Sequence, residues 1–318
     1  MSFATNFIDT LKPSYSAPKF FFTKKRPIGL KRKVTDMHRL IPALIQTLLR
    51  SLERVAPPLS NKLALWFFFR PIRGKRPSRE ESILRRARRS RRTMRGYYRQ
   101  TNNHYQAYEW GEGPPVLFVH GWGGRGTQFY RMIERVVEAG FKAVAFDAPA
   151  HGDSPGSRTN LLEYGEILRD LSGVYGGFQN IVAHSFGGVA SIRALVLDGV
   201  PSEKLTILGT PARMDSIFEG FTRQLHITDR SLSSIKCALS ELSSGDPEEF
   251  SFMTHLPNLH QPLMVLHDRE DRSVSIDQGR AIADARPQAE WVSTSGLGHN
   301  RILSNPMVVE RVLEFTQR

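Results

Sequence analysis

The chain has 318 residues, with 44 Lys and Arg against 31 Asp and Glu, 40% apolar residues and one cysteine. That length and apolar content suffice for a sizeable core and exclude collagen-like, coiled-coil and wholly disordered architectures. The single thiol, Cys237, excludes an intramolecular disulfide framework and a cysteine-rich zinc site, and the net charge of +13 is unevenly spread: residues 1–105 hold 25 basic and 5 acidic side chains, residues 106–318 hold 19 and 26.

Residues 1–33 mix Pro, Ser, Lys and isolated Phe without a period and predict a disordered basic tail. Lys12, Pro13 and Pro18 interrupt its only apolar stretch, so no secretory signal is expected and the expected location is the cytoplasm. From residue 34 onward Met37, Leu40, Ile41, Leu44, Ile45, Leu48, Leu49 and Leu52 recur at intervals of three and four, as on one face of an amphipathic helix. Pro57 and Pro58 end it, a second apolar run follows at 63–69, and an arginine-dense stretch closes near Arg99. Neither apolar run reaches the ~18 residues of a membrane span. Residues 34–95 thus read as a basic, helical, amphipathic extension with three candidate roles. Nucleic-acid binding has the charge but no recognised module. Packing on the rest of the chain would bury the apolar stripe internally. An anionic membrane surface, with the cytoplasmic face as the expected one, matches the pairing of stripe and arginines best.

Residues 96–318 read as one domain. Short β-branched or aromatic runs at 116–119, 142–146, 180–183, 205–208, 263–266 and 290–294 predict strands, and 128–139, 161–174, 187–197 and 277–285 have helical spacing. Such alternation predicts an α/β fold, a mostly parallel sheet with helices on both faces. Residues 95–99 and 104–110 predict an added antiparallel hairpin. Residues 211–261, helical in pattern and too long for a simple crossover, predict an inserted lid. Its Ile217, Phe218, Phe221, Leu225, Ile227, Leu232, Ile235, Leu239 and Leu242 would pack internally or face a hydrophobic acyl group.

Asn180-Ile-Val-Ala-His-Ser-Phe-Gly-Gly188 runs from a buried strand through a serine into small residues that open a helix, the layout of a nucleophile elbow. Strand and helix can approach there only if the residues two away from the serine are small, and they are Ala183 and Gly187. Ala183 departs from the usual G-x-S-x-G by one methyl group. A serine needs a base, and the base an orienting acid. Asp268, Glu270 and Asp271 follow a strand, and His299 follows the last strand in a Gly-rich loop.

With His-Gly-Trp-Gly-Gly at 120–124 and Asp-Ala-Pro-Ala-His-Gly-Asp-Ser at 147–154, these segments make the chain resemble the α/β-hydrolase superfamily from about residue 105 to its end. It is similar in particular to bacterial members with a basic amphipathic N-terminal extension. The resemblance implies Ser185 as nucleophile, Asp271 as orienting acid and His299 as base, with an oxyanion held by the backbone N–H groups of Trp122 and Phe186. Asp268 and Glu270 compete with Asp271, and Asp215 is a further alternative acid. His120, His151 and His184 are expected to brace loops, and Asp147 and Asp153 to order a turn. The implied activity is hydrolysis of a carboxylic ester through an acyl-enzyme, on a small-molecule or lipid ester, with no metal or organic cofactor. A membrane-surface acyltransferase, a lipid-specific lipase and a non-catalytic binding protein on the same fold are the alternatives.

Overall fold

The computed structural model describes residues 44–96, 102–225, 227–242 and 246–318. The expected tail at 1–33, and Met37, Leu40 and Ile41 of the expected helix, lie outside them. Residues 44–55 are helical (α1). Helix α2 (Pro57–Phe68) starts on the two prolines, whose fixed φ and missing N–H suit a first helical turn. A 3₁₀ turn leads into α3 (Glu81–Arg86), and then come β1 (Arg88–Arg95), β2 (Asn102–Trp110), β3 (Pro115–Val119), α4 (Tyr130–Glu138), β4 (Lys142–Asp147), α5 (Leu161–Tyr175), β5 (Asn180–His184) and α6 (Phe186–Leu197). The chain continues through β6 (Leu205–Leu208), α7 (Met214–Leu225), α8 (Asp229–Leu242), α9 (Phe252–His255), β7 (Leu263–Asp268), α10 (Ile276–Ala285), β8 (Glu290–Thr294), α11 (Gly298–Arg301) and α12 (Pro306–Gln317).

Eight strands form one sheet in the order β1-β2-β4-β3-β5-β6-β7-β8. The β1–β2 and β2–β4 pairings are antiparallel and the other five parallel. Both faces are covered, which explains why the central strands are continuous apolar runs. In β3, Leu117 and Val119 join one core with α5 and α6, while Val116 and Phe118 join the other with α4 and α12. Asn160 caps α5 by accepting from Glu163 N, and Gly176, with φ of +76°, ends it. The segment between β6 and β7 is helical, comprising α7, α8 and α9.

At three points the structure departs from, adds to or selects among the sequence expectations. The added hairpin pairs Arg88–Arg95, not 95–99, with β2, so the arginine-dense stretch ends as a strand of the sheet and the 34–95 region is not helical throughout. Its guanidinium groups stay in water or find carboxylates, as Arg88 does on Glu109 and Arg92 on Asp170 at 2.6 Å. Secondly, α12 was not foreseen, although Val308, Val309, Val312, Leu313 and Phe315 give it a buried face. Thirdly, the described part of the extension packs on the body. Leu49, Ala64 and Phe69 are core residues, and Phe68 meets Phe221 edge-on at 5.1 Å between ring centres.

Candidate active site

Sharp reversal of the chain between β5 and α6 puts Ser185 at φ 53° and ψ −122°, a left-handed conformation that costs a non-glycine residue on the order of 1–3 kcal/mol. Its N–H is tied to Leu208 O at 2.9 Å, and its carbonyl accepts from Gly188 N at 2.9 Å. The close approach of α6 to β3 demands glycine: a Cβ on Gly187 would lie 2.5 Å from Val119 O. Ala183 is fully buried in β5, and its methyl group is accommodated. Gly121 is constrained by the serine itself, since a Cβ there would stand 2.9 Å from Ser185 Cβ.

His299, in α11 beyond β8, donates from Nδ1 to Asp271 Oδ2 at 2.7 Å. Asp271 Oδ1 accepts from the amides of Ser273 at 2.8 Å and Val274 at 3.0 Å. Burial pushes the Asp271 carboxyl up, but the bond to His299 and the two amides outweigh it and hold the pKa below the ordinary range. Asp268 does other work. It is buried and accepts from Gly298 N, Leu297 N, Glu270 N and the Thr294 hydroxyl, thereby anchoring the loop that carries His299. Burial again opposes ionisation, yet these four donors bring its pKa down to about 2. Glu270 accepts from Ser295 Oγ and Gly296 N on the same loop. Asp215 is exposed and faces Lys236 at 3.6 Å. Of the acids weighed, only Asp271 bonds the imidazole of His299.

Three further imidazoles surround this centre. His120 donates from Nδ1 to Gly121 O at 2.8 Å and accepts on Nε2 from Ala148 N at 3.0 Å. His151 accepts from Gly123 N, and His184 donates to His299 O at 2.8 Å. Burial lowers their pKa values to about 4, 3 and 3, so all three are neutral at physiological pH and brace the loops. Asp147 accepts from Gly126 N, Asp153 N and Tyr108 OH and orders the turn after β4.

Ser185, Asp271 and His299 all border one cavity of about 1000 Å³. Trp122 and Phe186 stand on its wall with rings 5.3 Å apart, and Met214, Ile217, Phe221, Leu239 and Leu242 of the β6–β7 segment cover it. Phe186 N is at the first position of α6, where no intrahelical acceptor exists, and Trp122 N has no acceptor among the described residues. Among the described residues no group of three His, Cys, Asp or Glu is arranged to hold a metal ion.

A family model described as the alpha/beta hydrolase family matches residues 116–312. The chain belongs to the alpha/beta hydrolase family. This hydrolase is 24% identical to the non-heme chloroperoxidase CPO-A1 of Kitasatospora aureofaciens, over 60% of this chain and 86% of the relative. It is 26% identical to a pimeloyl-[acyl-carrier protein] methyl ester esterase of Vibrio vulnificus, over 65% of this chain and 94% of the relative. Among solved structures, an esterase of Pyrococcus furiosus superposes with a TM-score of 0.58 at 19% identity, covering 79% of this chain and 97% of that one. A thermophilic esterase of Thermogutta terrifontis gives 0.54 at 18%, covering 72% and 98%. These two likenesses concern the fold.

Sequence reasoning did not anticipate that the extension furnishes part of the hydrolase cavity. Phe68, Phe69, Arg79 and Glu80 line it. Glu80 is held there by Arg125 at 2.9 Å and by the Thr127 hydroxyl at 2.7 Å. Arg73 secures the same segment through the carbonyls of Ala150, Ser154 and Gly156. The signal present in the sequence, two apolar runs ending in Phe67-Phe68-Phe69, did not say which surface they meet.

Proposed function

We propose that this enzyme is a serine hydrolase that cleaves a carboxylic ester through an acyl-enzyme. The observation that carries this reading is the 2.7 Å bond from His299 Nδ1 to Asp271 Oδ2, on the wall of the cavity that also exposes Ser185 at its strained turn. With Nδ1 donating to Asp271, the lone pair of His299 lies on Nε2, where it can take the Ser185 hydroxyl proton. Ser185 Oγ then attacks the ester carbonyl carbon. The developing oxyanion is received by the unengaged N–H groups of Phe186 and Trp122. Collapse expels the alcohol, which takes its proton from His299, and a water repeats the sequence to release the acid and free the serine. Esterases among the sequence relatives support ester hydrolysis, and the apolar cover of the cavity suits an acyl chain.

The test is a panel of p-nitrophenyl esters of rising chain length, with fluorophosphonate labelling. Wild type should turn over and label. Ser185→Ala should not label and should lose on the order of 10³-fold or more in kcat. Equal rates for the two proteins would end this reading.

A second reading concerns where the enzyme works. Leu44, Leu48, Val55, Leu59, Trp66 and Ile72 are exposed on the extension, interleaved with Arg50, Arg54, Lys62 and Arg70. We propose that this face rests on an anionic lipid bilayer, by apolar insertion plus attraction of the cations to lipid headgroups. No helix among the described residues is long and apolar enough to cross a membrane. The full chain should co-sediment with phosphatidylglycerol vesicles more than with phosphatidylcholine ones, and a Leu48→Gln, Leu59→Gln, Trp66→Gln variant should lose that preference. Undiminished binding by the variant would reject the anchor.

A further inference from the structure

Five arginines border the cavity that holds Ser185, and they arrive from four parts of the chain. Arg125 is neutralised by Glu80. Arg79 of the extension, Arg223 of α7, and Arg269 and Arg272 of the loop after β7 are exposed and have no side-chain hydrogen bond or ion pair among the described residues. Of the carboxylates on the same wall, Glu80 is spent on Arg125 and Thr127, and Asp271 on His299. Glu219 alone is left to oppose the four cations, and it lies four residues before Arg223 on the same helix. Four guanidinium groups without a partner among the described residues and one carboxylate leave this rim with a surplus of positive charge beside the apolar lining, a field that favours an anionic ligand over a neutral one.

We infer that the substrate carries an anionic group, a phosphate or a carboxylate, which these arginines receive while the ester carbonyl lies at Ser185. This inference rests on the ester-hydrolase reading for its chemistry, but the anion subsite stands on its own geometry. Guanidinium groups present planar pairs of donors that match carboxylate and phosphate oxygens, and these four, from three parts of the chain, can engage an anion without prior pairing to break. The acyl or alkyl chain would lie along Phe68, Phe221 and Leu242. Because Arg79 and Arg223 come from the extension and the cover, anion binding would also draw these two elements together over the site.

The experiment measures binding without turnover, by the quenching of tryptophan fluorescence, since Trp122 lines the cavity. Octyl phosphate, octanoate and octanol are titrated into the full-length Ser185→Ala protein and into the same protein carrying Arg79→Gln and Arg223→Gln, with Arg269→Gln and Arg272→Gln as a second pair. The two anions should bind at least about tenfold more tightly than octanol, and each double variant should lose most of that advantage, as should added salt. A preference for octyl phosphate over octanoate assigns a phosphate-bearing ester, and the reverse a carboxylate-bearing one. Either order supports the subsite. Anions that bind no better than octanol, or variants that keep the full preference, would overturn it. A protein that binds the anions selectively but cleaves no ester would retire the hydrolase reading and leave the subsite standing. One that cleaves neutral esters without anion selectivity would do the opposite.

Discussion

Asp268 and Asp271 lie three residues apart and do different things because they meet different donors. Asp271 holds an imidazole and two amides, whereas Asp268 holds the amides of Leu297 and Gly298 beside His299, the Thr294 hydroxyl at the end of β8 and the Glu270 amide of its own loop. The folded pKa of Asp268, about 2, is below the ordinary aspartate value of about 4, so its contribution to stability is complete above about pH 4 and is lost as pH falls toward 2. Asp268→Asn should therefore lower Tm at pH 6, and the gap to wild type should narrow as melts are repeated from pH 6 down to pH 3. A gap that stays constant would show that the carboxylate charge is not what anchors the loop. Gly209 makes a second case. With φ of +57° and a Cβ position 3.2 Å from Asp271 Oδ2 and 3.3 Å from His299 Nδ1, it admits a methyl group only if that pair shifts by a few tenths of an ångström. Gly209→Ala should cost about 1 kcal/mol in stability from backbone strain, read by urea denaturation. It should cost more in activity, about 10²-fold in kcat, by displacing the imidazole. The sequence singled out Ser185, Asp271 and His299 because their motifs are local. Nothing local marked Gly209, whose importance depends on two loops that reach it from elsewhere.

Among the elements, β3 to β7 were legible from sequence because strands buried on both faces must be continuous apolar runs, and no neighbour alters that demand, while the half-buried β8 was legible from its aromatic and β-branched residues. The extension was legible only as amphipathic. A stripe of Leu and Phe reads alike whether it meets lipid or protein, and here α2 and the residue that ends it are divided, with Ala64 and Phe69 in the core and Leu59 and Trp66 outside. β1 was missed for a related reason: its arginines read as the end of the basic helical extension, and only the partner strand makes it part of a sheet. The link between α2 and α3 depends on Arg73, which donates to three carbonyls of the loop after β4 at 2.7–2.9 Å. Arg73→Ala should speed amide hydrogen exchange across residues 57–86 and raise KM while leaving the exchange of β5 and β7 unchanged. Protection across 57–86 equal to wild type would show that the aromatic contacts of Phe68 hold the segment by themselves.

At the scale of the whole molecule, the division of charge at residue 105 does not coincide with a structural division. The described residues form one compact unit, with Leu49, Ala64, Phe69 and Met94 in the same core as α5 and α6. Deleting residues 1–95 should therefore leave a protein without a cooperative thermal transition or near-ultraviolet dichroism, whereas deleting 1–41 should preserve both. A folded product from the larger deletion would separate the extension from the hydrolase body. The strand order has one more consequence. β1 ends the sheet, and no described strand pairs with its outer side. An open row of backbone donors and acceptors is a template on which a foreign chain can grow, and proteins discourage such growth with charge. Arg88, Arg89, Arg91, Arg92 and Arg95 occupy that rim. Glu109 and Asp170 neutralise Arg88 and Arg92, which leaves Arg89, Arg91 and Arg95 to set the charge of this edge: an approaching copy of β1 would bring its own arginines against them, so part of the chain's positive excess opposes edge-to-edge growth.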